Sequence, residues 1–449
     1  MSPTFRSLRI RNYRLWAGGA IVSNTGTWMQ RVAQDWLVLT QLTRDSGVAV
    51  GITTGLQFAP MLLLAPLAGS LADRWDRRRL LVTTQAAMGA LALVQGLLVV
   101  TDTARLWHVY LLAGLLGVVA AVDGPARQAF VGEMVPPEDL PNAVGLNSAS
   151  FHAGRLIGPG VAGLLISWLG TGPVFLLNAA TFAAVLTSLT RMSTAELRPV
   201  PRRAGRSGLV DGLRYVRGRP DVVAILVIVG LVGTFGLNFQ LTTALMARLQ
   251  FDRGSGEYGI LGSVMAVGSL AGALLAARRE RPTLRLVVGA AAAFGVCASV
   301  AALMPTYLLF AVMLVPTGLS ALTLMTAANA TVQVSTPAHL RGRVMAVYMA
   351  VFMGGAPVGS PLIGWIGQTF GARWSILVGG AVALVVAAAV AVWAARRGGL
   401  AGLGADGPHV AELLEGPHPD REGAAAQGDD AVRAAAHRVG QPAQTGQVA

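Results

Sequence analysis

The chain is 449 residues long, 53% hydrophobic and 13% charged, with a mean hydropathy of +0.57. Soluble domains carry about 25% charged residues, so this composition excludes a soluble enzyme and a disordered chain, and the single cysteine, Cys297, excludes a disulfide scaffold. The formal charge of +13 comes from arginine alone, since there is no lysine, and the arginines cluster between apolar stretches, as a multi-span membrane protein requires, rather than in a nucleic-acid-binding patch.

A membrane-spanning helix needs about 20 apolar residues. In chain order that rule predicts twelve spans: 14–40, 46–71, 80–101, 106–130, 143–169, 172–191, 221–248, 256–277, 284–304, 306–333, 342–369 and 371–395. Runs such as Ala381 to Val392 do not alternate, so the segments are helices rather than barrel strands. Arginines cluster on one set of alternate connections: Arg6, Arg9, Arg11 and Arg14 before the first span, Arg74, Arg77, Arg78 and Arg79 after the second, a run from Arg191 to Arg219 after the sixth, and Arg278, Arg279, Arg281 and Arg285 after the eighth. The alternate loops hold only Arg44, Arg105, Arg253 and Arg373. Both termini are therefore expected in the cytoplasm of a cell-membrane protein. The first apolar segment is too long for a cleavable signal.

Residues 192–220, rich in Arg, Pro and Gly, form the longest internal connection and divide the chain into 1–191 and 221–396. Residues 397–449 lack apolar periodicity and are expected to be a disordered cytoplasmic tail. The two halves read as repeats. Pro137 and Leu140 match Pro337 and Leu340, and with a one-residue shift Phe151, Gly154, Gly158, Gly163 and Gly170 match Phe352, Gly355, Gly359, Gly364 and Gly371. Parallel six-helix halves with a site between them suit a transporter.

The loop after the second span runs from Gly69 through Asp73 and Arg74 to Asp76, Arg77, Arg78 and Arg79. An acid where a helix leaves the membrane, followed by cations, can form a charge cluster at the cytoplasmic face; a plain positive-inside anchor would account for the arginines but not for Asp73 or Gly69. The fifth span holds Gly154, Arg155, Gly158, Pro159 and Gly163. Gly154 and Gly158 make a small face for tight helix contact, and Pro159 removes a backbone donor.

The first of these segments resembles the signature loop of the major facilitator superfamily, with Asp76 where that family usually has Gly. The second resembles the antiporter motif of its exporters. Trp28 to Leu37, Asp123 to Ala129 and Val135 to Ala143 are similar to the efflux branch that includes enterobactin exporters and many candidate drug exporters. The resemblance covers about residues 5–395. It implies an all-α membrane fold of twelve helices in two pseudo-symmetric six-helix bundles. It also implies a conformational gate at Gly69, Asp73, Arg74, Arg77 and Asp123, in which Asp123 joins Asp73 and Arg77 in a charge relay. The equivalent loop of the second half has Ala276 where Asp73 would be, so such a gate is one-sided.

An ionisable residue inside the bilayer costs about 2.5–3.5 kcal/mol or more. Arg155 lies near mid-depth of the fifth span with no acid within one helical turn, and is expected to line a central cavity facing Asp35, Arg31 or substrate. His152 shares its helix face. Arg31 and Asp35, four apart, are able to pair with each other, which would by itself account for both. The polar candidates for the pathway are Asn24, Gln30, Gln57, Asn147, Asn178, Asn238, Gln240, Asn329 and Gln333; polar residues also join helices without touching substrate. The six histidines are scattered, and there is no metal-binding His-Glu-x-x-His and no phosphate-cradling Gly-x-x-x-x-Gly-Lys. No metal, cofactor or catalytic group is expected.

The expected activity is secondary export of small amphipathic organic molecules, drug-like or siderophore-like, coupled to protons and working by alternating access. The alternatives are a uniporter or importer of a small metabolite, and a membrane sensor or scaffold of transporter descent. Expected partners are a small-molecule substrate, protons and the lipid bilayer, with no nucleic acid; the chain is expected to act as a monomer.

Overall fold

The structure, a computed structural model, describes residues 3–64, 75–198, 209–277 and 283–396. Every regular element among them is helical. In chain order these are α1 (Arg11–Trp36), α2 (Gly47–Leu63), α3 (Arg77–Val100), α4 (Leu106–Met134), α5 (Leu140–Leu169), α6 (Thr171–Thr190), α7 (Leu209–Arg217), α8 (Pro220–Phe235), α9 (Phe239–Leu245), α10 (Ser255–Ala277), α11 (Leu284–Leu303), α12 (Tyr307–Val334), α13 (Ala338–Phe370) and α14 (Ala372–Arg396). The expected tail, 397–449, lies outside the described residues.

Nine helical stretches among the described residues are long and apolar enough to cross a membrane. The first, second and fifth expected spans fall outside that set. α2 has 17 residues before the described chain stops at Leu64. α1 and α5 are long enough but carry polar side chains. On α1, Ser23, Gln30, Gln34 and Asp35 are buried. They point at neighbouring helices, so hydropathy alone undervalues the segment.

The seventh expected span, 221–248, is not one helix. It breaks between Phe235 and Phe239. Leu237 N donates back to Val232 O at 3.1 Å, and the Asn238 side chain donates to Thr234 O at 2.7 Å, satisfying a carbonyl that the interrupted helix would leave open. α1 and α9 both run on into wide turns, over Leu37–Leu42 and Met246–Gln250. Asp76, the departure from the family pattern, caps α3 by accepting from Arg79 N at 2.8 Å.

Helix pairing follows one pattern twice. α1 packs on α5 and α6, α3 on α4 and α6, and α2 on α4. After residue 220, α8 packs on α13 and α14, α11 on α12 and α14, and α10 on α12. The contacts between the two sets also come as a pair, α2 against α13 and α5 against α10. The repeated glycines of the sequence sit at matching places. Gly170 and Gly371 take φ of 81° and 105° in the turns after α5 and α13, a region that disfavours side chains. A Cβ on Gly158 would lie 2.7 Å from Trp28 Cβ on α1, and one on Gly359 would overlap the Thr234 carbonyl on α8.

The connection 192–220 contains structure of its own. α7 docks on α13, where a Cβ on Gly212 would lie 2.7 Å from the Arg343 carbonyl, and Tyr215 Oη donates to Ser335 O at 3.3 Å.

Gly359→Ala forces a methyl group onto backbone that cannot yield like a side-chain tip. Overpacking of this kind costs about 1–3 kcal/mol, so the purified variant is expected to melt several degrees below wild type in detergent. Gly114→Ala, where nothing lies within 4 Å of the added carbon, is expected to melt with wild type. Equal melting of the two variants would contradict the α8–α13 packing.

Candidate functional site

Trp28, Arg31, Val32 and Asp35 recur at three- and four-residue spacing, so they share one face of α1. The upper part of that face lines a cavity of about 220 Å³. Its walls are Trp28 and Arg31 of α1, Thr54 and Phe58 of α2, Arg155 of α5, Gly233 of α8, the broken stretch from Leu237 to Leu241, and Phe352, Met353, Ala356 and Ser360 of α13. A smaller cavity of about 50 Å³ shares Trp28, Arg155, Phe239 and Gln240 and adds Val32, Pro159, Thr243, Tyr258 and Gly262 among others. Both cavities draw their walls from either side of the connection 192–220.

Arg155 reaches this space because Gly154 and Gly158 put no side chain between the α5 backbone and α1 on either side of it. A Cβ on Gly154 would lie 2.9 Å from the Asn24 carbonyl carbon, as one on Gly158 would lie against Trp28. The Arg155 guanidinium carbon then lies 5.5 Å from the Trp28 ring centre. Arg31 lies 5.1 Å from the same ring and 5.4 Å from that of Phe58. Aromatic faces attract cations, by about 2 kcal/mol where water is excluded.

The expected pair of Arg31 with Asp35 does not form. The spacing permits it, but Arg31 is drawn over Trp28 and Phe58, while Asp35 is buried at 5% exposure and accepts from Tyr258 Oη of α10 at 3.2 Å. Tyr258 Oη is also 3.2 Å from the Gln240 carbonyl, and its ring stacks on Trp36 at 5.8 Å. Arg155 likewise does not pair with Asp35; it shares the cavity wall with Arg31. Tyr258 was no candidate in the sequence because a lone tyrosine in an apolar span reads as core.

Asn238 and Gln240 line the cavity, and Asn238 Oδ1 accepts from Ser360 Oγ at 2.7 Å. Two of the other polar candidates join helices: Asn24 donates to Ser150 Oγ at 3.1 Å, and Asn178 donates to Gln30. Gln333 donates to Asn329, one turn back on the same helix α12, at 2.6 Å. Gln57, Asn147 and His152 line neither cavity; Gln57 lies where α2 meets Gly117, and the His152 ring meets Phe151 edge-on at 5.8 Å. In the antiporter segment, Pro159 lines the smaller cavity, Gly160 N donates to Ser263 Oγ at 3.0 Å, and Gly163 O accepts from Ser255 Oγ at 3.3 Å.

Of the expected gate, Gly69, Asp73 and Arg74 lie outside the described residues. The remainder differs from the expectation. Arg77 pairs with Glu133 at 2.8 Å, not with Asp123. Asp123 is held by Arg127, one turn on in α4, at 3.1 Å and by Thr84 Oγ1 and Gln85 Nε2 of α3, each at 2.7 Å. α4 runs to Met134, beyond the expected end at 130, and so carries Glu133 down to the start of α3.

A second polar group links residues far apart in sequence. Asp45 pairs with Arg248 at 3.1 Å, and Ser46 Oγ donates to Gln368 Oε1 at 3.0 Å. With the bond of Gly163 to Ser255, the first residue of α10, these contacts gather where α1, α9 and α13 finish and where α2 and α10 begin.

The sequence model of the transmembrane secretion effectors matches residues 2–403. The multidrug efflux pump Tap of Mycolicibacterium fortuitum is 28% identical over 374 residues, which is 80% of this chain and 90% of that protein. The enterobactin exporter EntS of Escherichia coli O1:K1 is 26% identical over 333 residues, 74% of this chain and 78% of its own. The fold is shared with a solved bacterial homologue of the human lysosomal transporter Spinster in an inward-facing, unoccupied conformation, with a TM-score of 0.67 at 15% identity over 84% of this chain and 96% of that one. The chain therefore belongs to the transmembrane secretion effectors of the major facilitator superfamily, a family of multi-pass membrane transporters.

Proposed function

We propose that this chain is a proton-coupled exporter of small amphipathic organic molecules that works by alternating access. In this reading the twelve spans form two six-helix bundles, residues 1–191 and 221–396, joined by 192–220, with both termini in the cytoplasm of a cell-membrane protein. The repeated helix pairing and the arginine-rich alternate connections support it. On that orientation the contacts of Asp45, Ser46 and Gly163 close the outer end, so the cavity belongs to an inward-facing state.

The observation that carries the coupling is the hydrogen bond between Asp35 and Tyr258, a carboxyl group of one bundle held by a hydroxyl of the other beside the cavity. A hydroxyl has one proton to donate. With Asp35 protonated, its O–H donates to Tyr258 Oη, and Tyr258 donates onward to the Gln240 carbonyl. With Asp35 ionised, Tyr258 turns its proton to the carboxylate and the Gln240 carbonyl loses it. Gln240 and Tyr258 belong to the same half of the chain, whereas the Tyr258–Asp35 bond links the two halves and becomes charge-assisted and stronger when Asp35 is ionised. Proton release therefore tightens the join between the bundles, and proton uptake loosens it. That is how a proton taken up outside and released inside would drive the cycle.

The test is pH-gradient-driven accumulation, in inside-out vesicles, of compounds to which a deletion strain is hypersensitive. Wild-type accumulation is expected to collapse with a protonophore. Asp35→Asn is expected to lose gradient-driven accumulation while still exchanging labelled for unlabelled compound. Normal accumulation by Asp35→Asn would remove Asp35 from the coupling.

The Arg77–Glu133 pair joins α3 to α4 away from the cavity, so it acts on switching rather than on binding. Glu133→Gln is expected to slow turnover about tenfold, equivalent to about 1.4 kcal/mol on the barrier, with the equilibrium binding constant within a few-fold of wild type. A tenfold loss of binding at normal turnover would assign the pair to the substrate site instead.

A further inference from the structure

Two guanidiniums face one cavity, and among the described residues no carboxylate lines it. Arg31 and Arg155 lie over the same indole, and among the described residues neither is in an ion pair. The nearest acid on α1, Asp35, lines neither cavity and takes its hydrogen bond from Tyr258. With Asp35 ionised, the three charged groups still sum to one positive charge, and with Asp35 protonated to two. Like charges held close inside a poorly solvated space repel. Trp28 and Phe58 offset that through their ring faces, yet a ring supplies no hydrogen-bond acceptor for the N–H groups of a guanidinium.

We propose that the cavity takes organic anions built on an aromatic ring: a carboxylate or sulfonate group bound by Arg31 and Arg155, and a flat apolar body among Trp28, Phe58, Phe239 and Phe352. An arginine fork is suited to two oxygens of one oxyanion and forms short, charge-assisted hydrogen bonds with them. Asn238 and Gln240 stand on the same wall and offer neutral hydrogen bonds to the rest of the molecule. The cavity, at about 220 Å³, has room for a one- or two-ring acid. The inference rests on reading this cavity as the site of transport.

The test uses the full chain in lipid nanodiscs and three probes of one shape and different charge: 2-naphthoate, 2-naphthamide and 2-naphthyltrimethylammonium. Calorimetric titration at one pH and ionic strength is expected to give naphthoate about tenfold tighter binding than the amide, with the cation weakest. Arg31→Gln and Arg155→Gln are each expected to shrink that preference, and the double variant to abolish it. The ranking within the wild type tests the inference even where a variant does not fold. Equal binding of all three probes, no binding of any, or tighter binding of the cation would overturn it. So would an undiminished preference for naphthoate in the double variant. Vesicle transport of the same probes separates this from the exporter reading. Transport of the cation but not of naphthoate would overturn the anion preference and leave export standing; selective naphthoate binding without transport would do the reverse.

Discussion

Two arginines against one tryptophan, midway along a set of apolar helices, constrain everything around them. Each costs about 2.5–3.5 kcal/mol or more in hydrocarbon, so neither Arg31 nor Arg155 can face lipid. Both must be enclosed by other helices, and the enclosure must leave room for long side chains. α5 meets that demand by approaching α1 through Gly154 and Gly158, which leaves Arg155 against Trp28. The opposite wall comes from the broken segment between α8 and α9. Irregular backbone within a membrane persists only where it lines a cavity or is buried in protein, and here the break at residues 236–238 adjoins the same space that the arginines occupy.

The repeat gives the second half the same tools used differently. Gly355 and Gly359 press α13 on α8 as Gly154 and Gly158 press α5 on α1. Where the first half presents Arg155, the second presents Ala356 to the cavity, and where α1 presents Arg31, the break before α9 presents Asn238 and α9 presents Gln240. Charge is thus concentrated on one side of a pseudo-symmetric frame, and neutral hydrogen-bonding groups on the other. A frame with charges on one side only can loosen or tighten against its partner when a single group, Asp35, gains or loses its proton.

Much of this was legible in the sequence. The apolar lengths predicted the helices to within a few residues, as in the spans from Arg77, Leu106, Leu284 and Ala372, because helix length in lipid is set by composition. The glycine matches predicted real equivalences, since Gly170 and Gly371 hold the same left-handed turn. Arg155, Arg31 and Asn238 stood out because polar atoms in an apolar run demand an explanation. The partners did not. Tyr258 and Asp35 are far apart in the chain, and only the docking of α10 brings them together. Glu133 lay beyond the expected end of its span, and the family resemblance gave Asp123 the arginine that Glu133 holds. The break before Phe239 left only Gly236 and Asn238 as signals, which an apolar average hides.

Charge arithmetic joins the proton site to the cavity. In the proposed cycle, an anion leaving as a proton enters moves two positive charges inward. An inside-negative potential then favours the exchange by about 4.6 kcal/mol per 100 mV, twice the value for one charge. A neutral substrate would gain half of that, and a monovalent cation would gain nothing, because its outward charge cancels the proton's. Arginines in the cavity and a carboxyl group just outside it therefore serve one end: the first selects the charge that the membrane potential expels, and the second admits the charge that the potential draws in. The same arithmetic explains why the carboxyl group should stand apart from the cavity wall. An acid between Arg31 and Arg155 would occupy the forks that hold the anion, whereas an acid tied to Tyr258 can take and lose its proton while the anion site stays positive.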